Sequence, residues 1–461
     1  MKQSRNKNSA ESDNDVKSQL EKKDTNGMTI LIRNAFAGKS QEVENLLQDG
    51  ADLLARDGQG LTALSYAVMN GNIKLVKILL AHGKEKGTQL NQGGSDGSTM
   101  VHLACYGGHL GIIQEFVKAW GMQVLFNGNK LGGSPLQYAT EKGHLEVVKF
   151  LIKIGGRDLL FHQDGGGCTC LQSACLFDRL EMVKLVVKEG GRDLISMCDK
   201  QGRCCLHTAS TKGNLEVVKF LVKQHEELLF KRDVQGCTSL FHACHEGNRD
   251  VVEYLSKKGG LKLLLNMNKM NQSCLHASCH GRDLPIIRLL IKAGGAALIE
   301  HADNEGVTCL HMASICGNVE VVKFLAKECG DSLLLHRCNH GGTCLHYSVR
   351  SGCPAVVQVL AAAGGPSLIQ AAPADGLTCL ETAIFIGNLD AVKILVEAGG
   401  ESQLTGELVI GARQHPAIMQ YLAERMGVEV MEVPGIDGWM VGAGVKSAVG
   451  SRFEELKAAC A

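Results

Sequence analysis

Residues 306–330 read GVTCLHMASICGNVEVVKFLAKECG, and residues 202–225 read GRCCLHTASTKGNLEVVKFLVKQH. The two stretches share an opening glycine, the tripeptide Cys-Leu-His, a second glycine eleven residues after the first, and the segment Glu-Val-Val-Lys-Phe-Leu. Such self-similarity within one chain is typical of repeat proteins, in which each unit is a copy of one small supersecondary structure.

The same pattern recurs along most of the chain and predicts eleven units between residues 26 and 400. Most successive units begin 35 residues apart. The opening residues of the units are Gly27, Gly60, Gly97, Gly132, Gly167, Gly202, Gly236, Asn271, Gly306, Gly341 and Gly376.

Composition agrees with many small units rather than a few thick domains. The 461 residues include 55 glycines but only 7 prolines, and aromatic residues make up 4%. Lys and Arg (48) balance Asp and Glu (48), so no overall field favours nucleic acid or an anionic membrane. No apolar run approaches the ~18–20 residues of a membrane helix, and residues 1–26 lack the apolar centre of a secretory signal.

Each unit is expected to form two helices. A Thr or Ser two residues after the opening glycine, such as Thr308, is suited to cap the first helix. The mid-unit glycine, such as Gly317, is suited to end that helix in the left-handed region. Apolar residues at helical spacing predict a second helix, which a glycine or a Gly-Gly pair such as Gly190-Gly191 ends.

These units resemble the ankyrin repeat, whose opening reads Asp-x-x-Gly-x-Thr-Pro-Leu-His-x-Ala. The segments DNEGVTCLHMA (303–313), DKQGRCCLHTA (199–209) and GHLEVVKFL (143–151) carry the resemblance, which covers about four-fifths of the chain. The resemblance implies an all-α fold, an ankyrin-repeat solenoid of stacked helix-turn-helix units with projecting β-turn fingers.

The chain departs from the ankyrin pattern in two regular ways. The proline of the opening motif occurs only as Pro135, and six units have cysteine there: Cys170, Cys205, Cys274, Cys309, Cys344 and Cys379. The period of 35 exceeds the usual 33, and the extra residues fall after the second helix, in segments such as GGRDLL. We therefore expect longer or bent fingers.

Three substitutions at glycine positions predict weak joints in the array. Asp178 and Arg282 replace the mid-unit glycine, and Asn271 replaces an opening glycine. Asp and Asn tolerate the left-handed region better than Arg, so we expect Gly281 to take over the turn beside Arg282.

Four segments are predicted. Residues 1–25 form a polar, disordered tail, and residues 26–400 form the repeat array. Residues 401–426 form a degenerate capping repeat, which a repeat array needs to cover its last apolar face. Residues 427–461 form a C-terminal tail, with a strand within 428–433 and a short helix that begins with the capping-box pair Ser451 and Glu454.

The repeated cysteines and histidines invite a chemical interpretation. Nineteen cysteines in a chain without a secretory signal predict reduced thiols, here small residues that fill buried positions, with metal binding or an exposed redox thiol as alternatives. In ankyrin repeats the histidine of the opening motif is a structural hydrogen-bonding residue. We therefore predict no catalytic residue, no metal, no cofactor and no enzymatic activity.

The resemblance places partner binding on the concave face, at the finger tips and the exposed ends of the first helices. These positions vary from unit to unit, and several combine basic with large apolar side chains, as interface hot spots do. The candidate partner-binding residues are Tyr106, Lys130, Lys142, Leu176, Phe177, Lys200, Gln201, Arg203, Lys212, His245, Glu246, Met270, Ile315, Arg350, Phe385 and Ile386.

The sequence therefore predicts a scaffold or adaptor that binds other proteins, in particular segments with acidic and apolar residues, and that binds no nucleic acid and has no membrane span. The alternative is a substrate-recognition or regulatory subunit of an enzyme complex, such as a ubiquitin ligase, that docks through its terminal tails. We expect a cytoplasmic monomer, with the nucleus as the alternative compartment.

Overall fold

Pairs of short helices make up almost all of the described chain. The computed structural model describes residues 18–428 except positions 89, 92, 95, 282, 374 and 375, and in addition residues 430–432 and 439–441. The fold is the predicted all-α arrangement of stacked helix pairs. By their contacts the described residues divide into a first unit that ends at Val234 and a second unit that begins at Gln235.

The helices of the first unit alternate between a short first helix and a longer second helix. Two 3-10 turns, Met122–Leu125 and Glu226–Phe230, follow second helices. The α-helices are α1 Ile30–Phe36, α2 Ser40–Gln48, α3 Ala63–Met69, α4 Ile73–Glu85, α5 Met100–Gly107, α6 Leu110–Trp120, α7 Pro135–Lys142, α8 Leu145–Leu160, α9 Cys170–Leu176, α10 Leu180–Ile195, α11 Cys205–Lys212 and α12 Leu215–Gln224.

The second unit continues the same alternation. Its α-helices are α13 Ser239–His245, α14 Arg249–Leu264, α15 Cys274–Gly281, α16 Leu284–Gly294, α17 Ala296–Ile299, α18 Cys309–Ile315, α19 Val319–Leu334, α20 Cys344–Ser351, α21 Pro354–Ile369, α22 Cys379–Phe385, α23 Leu389–Gly399, α24 Gly406–Gly411 and α25 Pro416–Met426. Two short strands, β1 Val430–Glu432 and β2 Trp439–Val441, pair antiparallel with Met431 opposite Met440.

The repeat that opens at Gly306 shows why these residues form two helices. Thr308 is the N-cap of α18, and the ring of His311 accepts a hydrogen bond from the Thr308 backbone N–H. Gly317, with φ of +69°, provides the left-handed turn after α18. Asn318 then caps α19 by accepting a hydrogen bond from the Val321 N–H at 3.2 Å.

The core lies between successive repeats and consists mainly of aliphatic side chains. In the second unit, α18 packs on α20 and α19 packs on α21. Leu310, Val322 and Leu325 are fully buried there. Burying each such side chain contributes roughly 1.5–3 kcal/mol, so the stacking of neighbours stabilises helices that are too short to be stable alone.

Two of the three substituted glycine positions adopt the predicted backbone. Asp178 has φ of +54° and Asn271 has φ of +62°, the only non-glycine residues with positive φ among the described positions. Arg282 lies outside the described residues. Gly281 is the last residue of α15 and does not have a positive φ, so the prediction that it takes over the left-handed turn is wrong.

The prediction of longer fingers is wrong, because the extra residues of the 35-residue period form a helical turn. Five second helices and the α16–α17 junction contain a glycine with φ between +55° and +63° and ψ between −149° and −167°, followed by one further turn. In α8 that turn ends in Leu159 and Leu160, both buried. The leucines add apolar contact, which favours a packed turn over an exposed loop.

The segments at the two ends of the array contain structured residues. In the predicted capping repeat, Leu408 and Val409 of α24 and Ile418 and Leu422 of α25 are buried. The strand β1 lies within the predicted 428–433, whereas the predicted helix at Ser451 lies outside the described residues. In the predicted N-terminal tail, positions 1–17 also lie outside them, and the Lys23 ammonium donates to the Arg56 carbonyl at 2.9 Å. The four segment boundaries remain predictions.

No helix among the described residues is both long enough and apolar enough to cross a membrane.

Candidate functional site

The finger tips of successive repeats are joined by a ladder of backbone hydrogen bonds. Within the second unit, the Asn304 N–H donates to the Met270 carbonyl at 3.0 Å, and the Asn339 N–H donates to the Glu305 carbonyl at 2.9 Å. Within the first unit, the Lys200 N–H donates to the Gly166 carbonyl at 2.9 Å. The ladder holds neighbouring fingers side by side, so the exposed side chains at their tips form continuous rows.

Most fingers are also rigid internally because one Asp or Asn side chain bonds the backbone of its own finger. In the repeat that opens at Gly202, the Asp199 carboxylate accepts hydrogen bonds from the Gln201 N–H at 2.9 Å and from the Arg203 N–H at 2.8 Å. This is an Asx turn, the local structure that Asp and Asn favour. The tip residues between those two bonds are thereby presented on a fixed backbone.

The C-terminal ends of the first helices expose large apolar side chains. Tyr106 is 50% exposed, Phe177 is 42% exposed and Ile315 is 42% exposed. The backbone beneath them is tied to the next repeat, since His144 Nε2 lies 2.8 Å from the Tyr106 carbonyl oxygen. We call the finger tips and these first-helix ends together the tip surface.

All sixteen candidate residues lie among the described positions, and all are exposed except Lys142, which is half-buried. Two of the predicted basic residues already have carboxylate partners. Lys142 Nζ lies 3.2 Å from Glu141 and 4.3 Å from the centre of the Tyr106 ring. Contact with Tyr106, and then with Glu141, raises the pKa of Lys142. Arg203 pairs with the buried Asp199 at 2.9 Å.

The remaining basic candidates of the first unit keep their charge available. Lys130, Lys200 and Lys212 are exposed, and none of them forms an ion pair with another described residue. In the second unit, the exposed rings of His245 and His280 stack with centres 4.6 Å apart, and His245 Nδ1 lies 3.0 Å from Glu246. The tip surface thus offers isolated cations, an imidazole pair and apolar side chains.

The histidines of the opening motif are structural, as the resemblance implies. His311 accepts from the Thr308 N–H through Nδ1, and its Nε2 lies 3.4 Å from the Gly342 carbonyl oxygen of the next finger. Burial lowers the pKa of His311 to about 4, so the ring is neutral at pH 7. Gln172 makes the same two bonds, to Thr169 and to Arg203. Glutamine does not transfer protons. Because glutamine fills the same role at Gln172, the role of the histidine is structural rather than catalytic.

The cysteines at the proline position have a structural partner that the sequence did not reveal. The Cys170 and Cys344 thiols lie 3.5 and 3.4 Å from the carbonyl oxygens of Leu160 and Leu334, which end the helical turn of the preceding repeat. Burial raises the pKa of both thiols to about 12. A protonated, hydrogen-bonded thiol is a poor metal ligand and a poor nucleophile, so the buried-residue interpretation fits better than the metal or redox alternatives.

Comparison with known families agrees with this architecture. The family described as "Ankyrin repeats (3 copies)" matches residues 8–89, 84–160, 122–197, 157–232, 190–261, 256–333 and 299–368. These overlapping matches cover more than three quarters of the chain. No other kind of domain is among the family matches.

Individual relatives share shorter segments. The chain is 32% identical over 80 residues to the Notch-regulated ankyrin repeat-containing protein of Homo sapiens, which is 16% of this chain and 67% of that protein. It is 36% identical over 95 residues to the mitochondrial disaggregase of Homo sapiens, 17% of this chain and 13% of that protein. It is 32% identical over 91 residues to the inactive serine/threonine-protein kinase TEX14 of Mus musculus, 20% of this chain and 6% of that protein.

The chain therefore spans a small part of the disaggregase and of the kinase-like protein. The tails that the alternative function would use for docking fall largely on residues outside the described part of the chain.

Proposed function

The chain belongs to the ankyrin-repeat family, and from that premise we propose that it is a non-enzymatic scaffold or adaptor that binds partner proteins on its tip surface. Ankyrin repeats imply protein–protein interaction. The observation that carries the proposal is the combination of a rigid backbone with variable exposed side chains. The tip ladder and the Asx turns fix the backbone, while Tyr106, Phe177 and Ile315 remain exposed.

The preferred partner segment combines acidic and apolar residues. Exposed aromatic and aliphatic side chains supply the apolar contacts that dominate interface energy. Lys130, Lys200 and Lys212 supply charges without internal ion pairs, and complementary charges speed association and select partners. The free, mostly buried thiols fit a reducing compartment, so the proposal places the protein in the cytoplasm or the nucleus.

The apolar part of the proposal is tested with matched pairs of exposed residues. Leu176→Ser with Phe177→Ser removes two apolar side chains from the tip surface. Leu261→Ser with Leu265→Ser removes two exposed leucines, one in the last turn of the second helix α14 and one directly after it. Affinity capture of the tagged full chain from cells, quantified by mass spectrometry, should lose a set of partners only with the first variant.

The charge part uses Lys200→Glu with Lys212→Glu and leaves Arg203 paired with Asp199. Partner association should slow, and the difference from wild type should shrink as salt is added. Both variants must keep the wild-type melting temperature. Unchanged capture by the tip-surface variant, or equal loss by the second-helix control, would remove the tip surface as the binding site.

A further inference from the structure

A groove runs between two successive second helices of the second unit. It has a volume of about 820 Å³ and lies between α14 and α16. Its size falls within the range of ligand-binding clefts, ~300–1,000 Å³. The lining residues are Arg249, Glu253, Ser256, Lys257, Leu284, Pro285, Arg288, Leu289, Lys292 and Ala293.

The rim of this groove carries an excess of positive charge. Four cationic side chains face one carboxylate, Glu253, and Lys257 Nζ holds that carboxylate at 2.6 Å. Arg288 stays in place by stacking on Phe324, with its guanidinium carbon 4.8 Å from the ring centre. Neither Arg249 nor Lys292 forms an ion pair with another described residue. Lys257 lowers the pKa of the Glu253 carboxyl and Arg249 is close enough to help lower it, but the rim still has three more positive charges than negative ones.

The floor of the groove is apolar apart from one hydroxyl. Leu284, Pro285, Leu289 and Ala293 come from one side of α16. Ser256 lines the opposite wall, is 5% exposed, and its Oγ has no hydrogen-bond partner among the described residues. A buried polar atom without a partner costs roughly 1–3 kcal/mol, and a ligand that supplies the hydrogen bond recovers that energy.

Helix geometry spreads the cations along the groove. Arg288 and Lys292 are four residues apart on α16, which corresponds to about 6 Å at ~1.5 Å per residue. Arg249 lines the groove from α14. Charges at this spacing match several anionic groups in a row better than a single phosphate. An extended peptide advances ~3.3 Å per residue and points alternate side chains to opposite sides, so side chains two residues apart match the spacing of Arg288 and Lys292.

We propose that this groove binds an extended segment of a partner protein in which carboxylate side chains alternate with aliphatic ones. The carboxylates pair with Arg249, Arg288 and Lys292 at the rim, and the aliphatic side chains contact Leu284, Leu289 and Ala293. This second docking site shares no residue with the tip surface, because all of its lining residues belong to the second helices α14 and α16.

The test uses the full chain and a fluorescently labelled peptide of alternating Glu and Leu, followed by fluorescence anisotropy. Arg249→Glu with Lys292→Glu should weaken binding at least about tenfold. The control, Lys188→Glu with Lys258→Glu, makes the same charge change on exposed second-helix positions that do not line the groove, and should bind within about twofold of wild type. Ser256→Ala should weaken binding by a smaller factor without lowering thermal stability.

Three results would overturn the proposal. One is equal weakening by the groove variant and its control, which would indicate attraction by net charge alone. Another is equal binding of an alternating Lys and Leu peptide. The third is displacement of the Glu and Leu peptide by millimolar inorganic phosphate at constant ionic strength, which would indicate a site for a single anion. Because the tip surface is also proposed to bind acidic and apolar segments, the groove variant and its control are both compared in a chain that carries Leu176→Ser and Phe177→Ser. Loss of binding that appears with Arg249→Glu and Lys292→Glu in that background belongs to the groove, so the two sites are distinguished.

Discussion

The position three residues after the first-helix N-cap shows how one side chain joins two repeats. It accepts a hydrogen bond from the N-cap N–H and donates to a carbonyl of the next finger. His102, His276, His311 and His346 fill this role, and Gln137 and Gln172 do the same. The two residue types share one acceptor and one donor at similar reach, but only histidine titrates near neutral pH.

That difference predicts an acid sensitivity of stability that His311→Gln reduces. Burial lowers the pKa of His311 to about 4, whereas the unfolded chain takes up that proton near pH ~6.5. Between those values the unfolded state binds more protons, so stability falls as the pH falls. The slope is about 1.4 kcal/mol per pH unit, which gives roughly 2 kcal/mol between pH ~6.5 and pH ~5.

Chemical denaturation of wild type and variant at several pH values measures this effect. His311→Gln should match wild type above pH ~6.5 and exceed it at lower pH. The reverse substitution, Gln172→His, should add sensitivity of the same sign. Parallel stability profiles for wild type and His311→Gln would contradict the role assigned to burial of this ring.

The cysteine at the proline position shows which contacts could be predicted from single residues and which could not. A small buried side chain could be predicted from the repeated Cys-Leu pattern. The hydrogen bond from Cys170 to the Leu160 carbonyl could not, because it requires the helical turn that follows Gly156. Residue type and spacing do not reveal a partner whose position depends on another element.

At the scale of elements, each member of the Gly-Gly pair is required for a different reason. A Cβ on Gly190 would lie 2.4 Å from Leu194 Cδ2, so close packing excludes a side chain there. Gly191 has no atom within 4 Å of such a Cβ, but its φ of +61° and ψ of −158° place it in a region that glycine alone adopts readily. Together they allow a further helical turn to pack against the preceding one.

Asparagine should distinguish this kink from the left-handed turn after a first helix. Gly352 has φ of +70° and ψ of +22° with open space around it, a conformation that Asn tolerates. We expect Gly352→Asn to cost under about 1 kcal/mol and Gly191→Asn to cost about 1–3 kcal/mol. A Cβ at either position meets no neighbouring atom, so steric clash does not affect the comparison. Equal losses in the free energy of unfolding would contradict the different backbone regions assigned to Gly191 and Gly352.

The same kink explains which elements the sequence could predict. Helical periodicity, Thr caps and left-handed glycines predicted the two helices of each repeat, because these signals are local. The Gly-Gly pair predicts the end of a helix. In α10, however, a further helical turn follows the pair and contains the buried Leu194 and Ile195. That turn is stabilised by packing, which single-repeat reasoning does not include.

At the scale of the molecule, the pattern of variable positions predicted which tip residues are exposed. It did not predict which of their charges are paired with a neighbouring carboxylate. The sequence predicted that the charges of Lys142 and Arg203 are free to bind a partner, but Glu141 and Asp199 partly neutralise them. The groove between α14 and α16 was missed because each helix contributes one wall. Its basic and apolar residues come together only when two repeats stack.

The whole chain should show opposite pH dependences of solubility and stability. Its formal net charge is zero at pH 7, and its isoelectric point is near 7.2. Self-repulsion is therefore weakest near neutral pH, where association is favoured. Acidification makes the chain cationic, because histidine is the side chain that ordinarily gains charge below neutral pH. Burial lowers the pKa of His311, so that ring resists protonation and the folded state loses stability relative to the unfolded state.

Light scattering of the folded protein at room temperature should therefore be greatest near pH 7 and decrease toward pH ~6. The melting temperature should also decrease over the same interval, so the protein becomes more soluble but less stable. If both properties worsened together on acidification, aggregation would follow from unfolding rather than from loss of net charge. The variant His311→Gln separates the two causes. It should raise the melting temperature at pH ~6. It should leave the scattering profile unchanged, because a buried neutral ring contributes nothing to the net charge of the folded chain.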